Sequence, residues 1–367
     1  MKRIFTALKM MGSLALCAAL LAGCAVLPAD SAPEATPADP LTGLEARCPG
    51  QRPVAVTIAN GTASTTQWGI SAASVVLEAR TADYGDTSLC LVYPSVDAMP
   101  QVGPVTEGED LYWRLLVGQQ VLPVQRGGGV FDQNYLDYYS LRAVDALEVG
   151  KNAFSCTAAW QNAPLWYTSG GAVSGVLSSL NISASLMESR VTSAASTASG
   201  SSASGGAALT VPPLLPQAVD GKLPDATAPG AQNVRICFDE ANATGFAYDE
   251  ARGQYAMLHA DGTPQLDAGS GRQAAFDNLL VLFSGSTLRD DGHTYDYDLT
   301  MGGGVWLNGG HLWYLTWTQG SDSTFRLYDA DGRLLTLEAG TSYIALVSSV
   351  TGQELTVTNA AGENLIQ

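Results

Sequence analysis

The sequence has few basic residues for its length. It carries 18 Lys and Arg against 35 Asp and Glu, a formal net charge of -17 over 367 residues, and only 14% of its residues are charged. Because so acidic a chain is repelled by nucleic acid and by anionic lipid, it excludes a nucleic-acid-binding function and a polybasic membrane-binding segment. The charge instead favours cations, basic protein surfaces or neutral polymers as partners.

Histidine is also scarce, and the recurrent motifs of enzymes are missing. His259, His293 and His311 are the three histidines of the chain, and the turn signals beside them predict solvated positions. No Gly-x-Ser-x-Gly motif, dinucleotide fingerprint or P-loop is present. The sequence therefore predicts no catalytic residue, no metal site and no cofactor, and it favours a protein that is not an enzyme.

Cysteine is limited to six residues, two of which lie within the first 24. The other four, Cys48, Cys90, Cys156 and Cys237, are not spaced as zinc ligands are. Cys90 lies in an apolar run, which predicts a small buried residue. The remaining three either include a disulfide or stay free, and the sequence leaves the pairing open.

The N-terminus has the pattern of a bacterial lipoprotein signal. The cationic residues of its start are Lys2, Arg3 and Lys9. An apolar run over residues 10–22 follows and is too short for a permanent membrane span. The small residues Ala22 and Gly23 before Cys24 match the lipobox, in which the cysteine receives a diacylglyceryl group and becomes the first residue after cleavage.

We therefore predict that residues 1–23 are a lipoprotein signal peptide and that Cys24 carries the lipid. Cleavage removes three positive and no negative charges, which lowers the net charge from -17 to -20. The expected location is the extracytoplasmic face of the cell membrane. The alternative is an ordinary signal peptide that happens to end near a cysteine.

Composition divides the remaining chain into five segments. Residues 24–47 are rich in Pro and Ala and residues 189–231 in Ser, Ala, Gly and Pro, which predicts a stalk and a low-complexity linker. Residues 48–188 alternate β-rich runs, such as Ser88–Tyr93, with helix-like runs over 107–116 and 131–139, the pattern of an α/β layered domain. Residues 232–350 contain short β-rich runs between Asp-Gly and Asn-Gly turns, typical of a β-rich hairpin domain. Residues 351–367 are predicted to form a C-terminal tail. The predicted fold class of the whole chain is α+β or α/β.

A glycine-rich turn provides the candidate ligand-binding site. Its residues are Glu78, Arg126, Gly127, Gly128 and Gly129. The glycines lie between a predicted strand and a predicted helix, so their N–H groups stand where an anion binds, although a tight turn that simply requires glycine is the alternative. Glu78 is the one acid in an apolar stretch over 70–79, which we predict as a helix. Its side chain faces either the crevice or solvent.

Short motifs occur in a fixed order over nearly the whole chain that follows the predicted signal peptide. In the first half they are Pro40-Leu41-Thr42-Gly43-Leu44, Arg52-Pro53-Val54-Ala55-Val56, Val75-Val76-Leu77-Glu78, Gly103-Pro104-Val105 and Tyr167-Thr168-Ser169. In the second half they are Phe246-Ala247-Tyr248-Asp249, Gly253-Gln254-Tyr255, Asp277-Asn278, Thr316-Trp317 and residues 325–332. Together they resemble the YerB-like lipoproteins of Gram-positive bacteria, a two-part domain of unknown function, and the resemblance implies a divergent member.

The departures from that family concern charged residues. Members usually carry an acid where this chain has Ala59, arginines where it has Thr106 and Glu109, and His-Asn where it has Leu165-Trp166. A cluster of an acid, two arginines and a histidine binds an anion or performs acid–base chemistry. The resemblance therefore implies that such a site is lost here or has changed its ligand.

Two functions follow from the sequence. The first is a lipid-anchored binding or scaffolding component of the cell envelope, whose partners are the membrane, through the lipid on Cys24, and an envelope protein or wall polymer. The alternative is a cell-envelope hydrolase that acts on wall polymer near Gly127–Gly129. The missing histidine of the first half and the substituted arginine positions favour the binding function.

Overall fold

The computed structural model describes residues 37–61, 66–160, 163–187, 209–221 and 228–366. The predicted signal peptide, Cys24, the first part of the predicted stalk and most of the predicted linker lie outside these ranges. Among the residues that the structure describes, no helix has the length and the apolar composition that a membrane crossing requires.

The described residues form four α-helices and many short strands. The helices are α1 (Asp110–Leu116), α2 (Val130–Tyr138), α3 (Ala146–Val149) and α4 (Gly170–Leu177). Short 3-10 helices cover Ile70–Ala72, Val117–Gln119 and Gly150–Asn152. The strands of the first half are β1 (Val54–Ala59), β2 (Val75–Ala79), β3 (Ser88–Tyr93), β4 (Gln101–Val102), β5 (Leu122–Gln125), β6 (Val144–Asp145), β7 (Ser155–Trp160) and β8 (Ala163–Ser169). Those of the second half are β9 (Gln217–Ala218), β10 (Asn233–Cys237), β11 (Ala243–Asp249), β12 (Gln254–Leu258), β13 (Ala275–Phe276), β14 (Asn278–Ser284), β15 (Ser286–Leu288), β16 (Tyr295–Tyr297), β17 (Met301–Asn308), β18 (His311–Gln319), β19 (Phe325–Tyr328), β20 (Leu337–Glu338), β21 (Ser342–Ser348) and β22 (Glu354–Thr358).

The largest sheet runs through both halves of the chain. It has ten strands in the order β19-β18-β17-β14-β21-β2-β3-β1-β5-β6. Strands β2 and β21 join the halves as a parallel pair that extends from Val75 opposite Ser342 to Ala79 opposite Leu346. Segments 48–188 and 232–350 therefore share one sheet, and Pro37–Gln367 forms a single unit. Pairing between strands that are distant in sequence has no local signal in composition. The change in composition along the chain therefore did not reveal that the two segments share a sheet.

A second sheet covers one face of the first. Its five strands lie in the order β13-β12-β11-β10-β22. Phe246 and Tyr255 of this sheet share a core with Val281 and Tyr343 of the large sheet, and the rings of Phe246 and Tyr343 lie 4.7 Å apart. The predicted tail 351–367 supplies the edge strand β22, so this part of the sequence is folded rather than a tail.

The opposite face of the large sheet is buried as well. There Trp113 of α1 belongs to a core with Leu77 of β2, Trp306 of β17 and Trp317 of β18. Each fully buried large apolar side chain contributes roughly 1.5–3 kcal/mol. Because helices and mixed sheets share one unit, the predicted α+β fold class is confirmed.

The stretch 70–79, which we predicted as a helix, is instead a single 3-10 turn followed by β2. All five residues of β2 are buried. A strand buried on both faces reads as a continuous apolar run, and such a run cannot be distinguished from a buried helix by periodicity. The helices predicted over 107–116 and 131–139 are present as α1 and α2.

Parts of the two low-complexity segments are also folded. In the predicted stalk, Leu41 is fully buried and its N–H donates to Asp39 Oδ1 at 2.8 Å. In the predicted linker, Leu214 and Leu215 are buried, and β9 pairs with β20. A few large apolar side chains hold these irregular segments against the core, which composition averaged over 20 to 40 residues does not reveal.

The four cysteines of the described part of the chain are free thiols. Cys90 is buried, as predicted. Cys48 and Cys237 are half-buried and Cys156 is exposed. Of the two possibilities that the sequence left open, the structure has the free thiols.

Candidate functional site

Glu78 lies in the middle of the ten-stranded sheet and is 1% exposed. Its neighbours Leu77 and Ala79 face the helical side of the sheet. Glu78, like Val76, points the other way because side chains alternate along a strand. It therefore faces the five-stranded sheet. Of the two orientations that the sequence left open, the one in which the side chain faces solvent does not occur.

Four side chains donate hydrogen bonds to the Glu78 carboxylate. Asn60 Nδ2 and Thr87 Oγ1 donate to Oε1 at 2.8 and 2.7 Å. Thr244 Oγ1 donates to Oε2 at 2.8 Å, and Tyr343 Oη donates to the same oxygen. Two donors come from each half of the chain, so the carboxylate joins the two halves in the core.

Burial and hydrogen bonding act on this carboxyl in opposite directions. Burial raises the pKa of Glu78, while the four hydrogen bonds lower it and leave a net increase. Burial, together with the nearby Glu78 charge, raises the pKa of Tyr343 well above its usual value, so the phenol stays a donor. An ionised carboxylate has about four lone-pair positions. All are occupied by the protein, so Glu78 serves to orient its donors rather than to contact a ligand.

A cleft opens above this cluster, and we call it the Glu78 cleft. Its volume is about 370 Å³. Its polar lining consists of Asn60, Thr87, Asn242, Thr244, His259, Asp261, Thr263 and Gln265. Leu258, Pro264 and Leu266 supply apolar wall. Three of the four donors to Glu78 thus line the cleft, and the buried carboxylate fixes their orientation.

The amide of Gln67 connects two residues of the cleft lining, Asn60 and Gln265. Gln67 Nε2 donates to Ala59 O at 2.6 Å and to Asn60 Oδ1 at 3.2 Å. Its oxygen accepts from the buried Gln265 Nε2. Because Asn60 accepts from Gln67 and donates to Glu78, its side-chain orientation is fixed at both ends.

The cleft is lined mainly by uncharged hydrogen-bonding groups. His259 is half-buried, and burial lowers the pKa of its imidazole, which favours the neutral ring. Asp261 is the single carboxyl among the lining residues, and hydrogen bonds from Thr263 lower its pKa. Within the described ranges, no group of three or more His, Cys, Asp and Glu is arranged to hold a metal ion.

The predicted glycine turn lies elsewhere in the sheet. It follows β5, which is separated from β2 by β3 and β1. Three strand spacings correspond to roughly 14 Å. The structure therefore does not bring Glu78 together with Arg126 and Gly127–Gly129.

At the glycine turn, the chain's own carboxylates occupy the position of an anion. Gly127 has φ +70° and its N–H donates to Asp145 Oδ1 at 2.8 Å. A Cβ on Gly128 would lie 1.9 Å from Asp132 Oδ2. Positive φ and this close approach explain the need for glycine. Ligand binding by Arg126, Gly127, Gly128 and Gly129 remains a prediction.

Acidic residues crowd the same turn. Burial raises the pKa of Asp132 to about 6, although Trp113 Nε1 donates to it at 2.6 Å. Burial, with the charges of Asp110 and Asp132, raises the pKa of Glu109 to about 8. Asp110 itself forms a bidentate pair with Arg289 at 3.0 and 2.7 Å.

The sequence did not reveal most of the residues of the Glu78 cleft. Thr244 and Gln265 lie in the second half of the chain and meet Glu78 and Gln67 only through the register of strands and loops. His259 was predicted as a solvated turn residue, and it does lie in a turn closed by its N–H to Thr263 O at 2.8 Å, yet it is half-buried in the cleft wall. The isolated acid in the apolar run of β2 was the one local signal.

The chain matches a known protein family over both of its halves. Residues 41–183 match the N-terminal domain, and residues 234–344 the C-terminal domain, of the DUF3048 proteins of unknown function. The chain belongs to the DUF3048 family. Its structure is similar to the crystal structure of the YerB protein from Bacillus subtilis, with a TM-score of 0.69 and 22% identity over 87% of this chain and 99% of that chain. The predicted YerB-like resemblance of a divergent member is confirmed, and at this identity the likeness concerns the fold alone. No curated protein matches the sequence.

Proposed function

We propose that this DUF3048 protein is a lipid-anchored binding component of the cell envelope that takes a neutral, hydroxyl-rich ligand, such as a glycan segment of wall polymer, in the Glu78 cleft. The observation that carries the proposal is the cleft lining. Its amide, hydroxyl and imidazole groups are mostly uncharged, and the buried carboxylate orients three of them.

Neutrality is the property that suits a sugar. His259 and Thr263 present hydrogen-bonding groups of the kind that pair with sugar hydroxyls, while Leu258 and Leu266 offer apolar surface to the ring face. Among the described residues no Lys or Arg lines the cleft, so nothing there offsets the repulsion between an anionic polymer and a chain of net charge -17. A neutral polymer avoids this repulsion.

Binding is favoured over hydrolysis at this cleft. Glycoside hydrolysis ordinarily requires two carboxyls, one of which has a raised pKa and serves as the acid. Asp261 is the one carboxyl in the lining, and its pKa is lowered. Glu78 has a raised pKa but is enclosed by its four donors.

A hydrolase with its site near Gly127–Gly129 is the second candidate. It is supported by the raised pKa values of Glu109, about 8, and Asp132, about 6, because perturbed carboxyls cluster at catalytic sites. Against it, the carboxylate of Asp132 is held by Trp113 and Gln125 at 2.6 and 2.9 Å within the protein. Wall-polymer turnover that Asp132→Asn abolishes would favour the hydrolase.

Calorimetric titration of the mature chain, with Cys24→Ser to keep it in solution, tests the proposed ligand class. The probes are a neutral N-acetylglucosamine tetramer and an anionic glucuronic acid tetramer, each incubated afterwards to detect cleavage. We expect binding of the neutral tetramer, weaker or no binding of the anionic one, and no cleavage products. Preference for the anionic tetramer, or cleavage of either, would contradict the proposal.

A further inference from the structure

The geometry points to a second binding site, for a phosphate-bearing anion, in a polar hollow between Arg252 and Arg272. The hollow has a volume of about 340 Å³ and shares no lining residue with the Glu78 cleft. Its polar lining consists of Ser71, Arg252, Gln254, Arg272, Gln273 and Thr341. Ser71 comes from the first half of the chain and the others from the second, so the hollow exists only when both halves are assembled.

The two arginines retain donors for a ligand. Arg252 contacts Asp249 Oδ2 through Nε at 3.3 Å, which leaves its two terminal nitrogens for other contacts. Within the described part of the chain, the guanidinium of Arg272 makes no ion pair or hydrogen bond. Seven other arginines of the described part form ion pairs with carboxylates, namely Arg80, Arg114, Arg142, Arg252, Arg289, Arg326 and Arg333.

Apart from Asp249, which pairs with Arg252, two carboxylates that contact lining residues of the hollow accept hydrogen bonds from neutral donors. Asp277 accepts from Gln254 Nε2 at 2.9 Å and from the N–H and hydroxyl of Thr341 at 2.7 and 2.9 Å. Asp267 accepts from the N–H and hydroxyl of Ser71 at 3.0 and 2.8 Å. These contacts turn both carboxylates toward their own loops, and neither lines the hollow.

Two guanidinium groups suit phosphate better than carboxylate. One planar guanidinium fork can engage both oxygens of a carboxylate, which leaves the second arginine without a partner. A phosphate monoester presents three oxygens, so it can accept hydrogen bonds from both arginines at once. Its charge of about -1.5 to -2 near pH 7 is attracted most strongly by Arg272, because Asp249 already pairs with Arg252. The side-chain amides of Gln254 and Gln273 can supply further donors at the rim.

Phosphate can reach the site as a soluble or polymer-borne group or as a lipid headgroup. Titrations of the mature chain, again with Cys24→Ser, with inorganic phosphate and with glycerol phosphate, at constant ionic strength and followed by amide NMR, test the shared chemistry. Acetate serves as the carboxylate control, and vesicles with and without phosphatidylglycerol test the lipid source. Phosphate binding with vesicle binding assigns the headgroup, and phosphate binding alone assigns the soluble or polymer source.

Arg272→Gln and Arg333→Gln form the matched pair of variants, since both arginines are exposed. We expect shifts near Thr341 and Gln273 with phosphate, about a tenfold or greater loss of phosphate affinity in Arg272→Gln, and unchanged affinity in Arg333→Gln. Unfolding temperatures of both variants check that the fold is kept. No phosphate binding by the unmodified chain, undiminished binding in Arg272→Gln, or equal binding of acetate would overturn the inference.

Discussion

Thr244 Oγ1 donates a hydrogen bond of 2.8 Å to the carboxylate of Glu78, which precedes it by 166 residues. The contact connects β11 of the five-stranded sheet to β2 of the ten-stranded sheet. Both side chains are buried, at 2% and 1% exposure. One buried carboxylate therefore ties together the two sequence halves that the family models match separately.

Removal of the Thr244 hydroxyl should destabilise the whole unit. Thr244→Val keeps the shape but leaves the buried Glu78 carboxylate with one donor fewer, and we expect a loss of about 1–3 kcal/mol in the free energy of unfolding. Urea unfolding measures it, with the exposed Thr356→Val on β22 as the matched control. Equal effects of the two substitutions would show that the hydroxyl contact contributes nothing.

Stability should depend on pH through Glu109. Its pKa of about 8 in the folded chain lies above the ordinary value of 4.5, so the folded chain keeps a proton that the unfolded chain releases. The free energy of unfolding therefore falls as pH rises between these values. Glu109→Gln removes this loss, and we expect its gain over the unmodified chain to be larger at about pH 9 than at about pH 5. Urea unfolding at both pH values measures this gain in the free energy of unfolding. A gain that is independent of pH would contradict the expectation.

Proteolysis tests whether the two halves stay together after cleavage. The Ser- and Ala-rich composition of residues 189–208 predicts that a broad-specificity protease cuts there first. Because β2 pairs with β21 across the two halves, the fragments should elute together from a sizing column and separate only in denaturant. Fragments that separate under native conditions would show two independent domains.

Cys24 should carry the membrane anchor. Cys24→Ala removes the thiol that the lipobox presents, and we expect the variant to stay unprocessed or to be shed from the membrane fraction. Mass spectrometry of the mature N-terminus and detergent phase partition measure this. An unmodified N-terminus at any other residue of the unsubstituted protein would rule out lipidation there.

The sequence predicted those parts of the fold that have a local pattern. Strand β3 was predicted at its observed bounds of Ser88–Tyr93, and α1 and α2 within about three residues, because each has its own periodicity or flanking turn. The helix predicted at the position of β2 was wrong because burial on both faces of the strand removes the alternation of polar and apolar residues. The cleft could not be predicted because its contacts join distant parts of the chain. Glu78 was recognised as an isolated acid, but Thr244 and Tyr343 contact it only through the pairing of strands that are far apart in sequence.

The measurement that tests the account most directly compares two histidines. His259 lines the Glu78 cleft, whereas His293 lies in an exposed turn and contacts Asp83 at 3.2 Å. The account predicts that His259→Ala weakens binding of the neutral N-acetylglucosamine tetramer about three- to tenfold, the loss of one hydrogen bond, and that His293→Ala leaves it unchanged. Equal affinity of the two variants, or a loss confined to His293→Ala, would contradict a ligand in the Glu78 cleft.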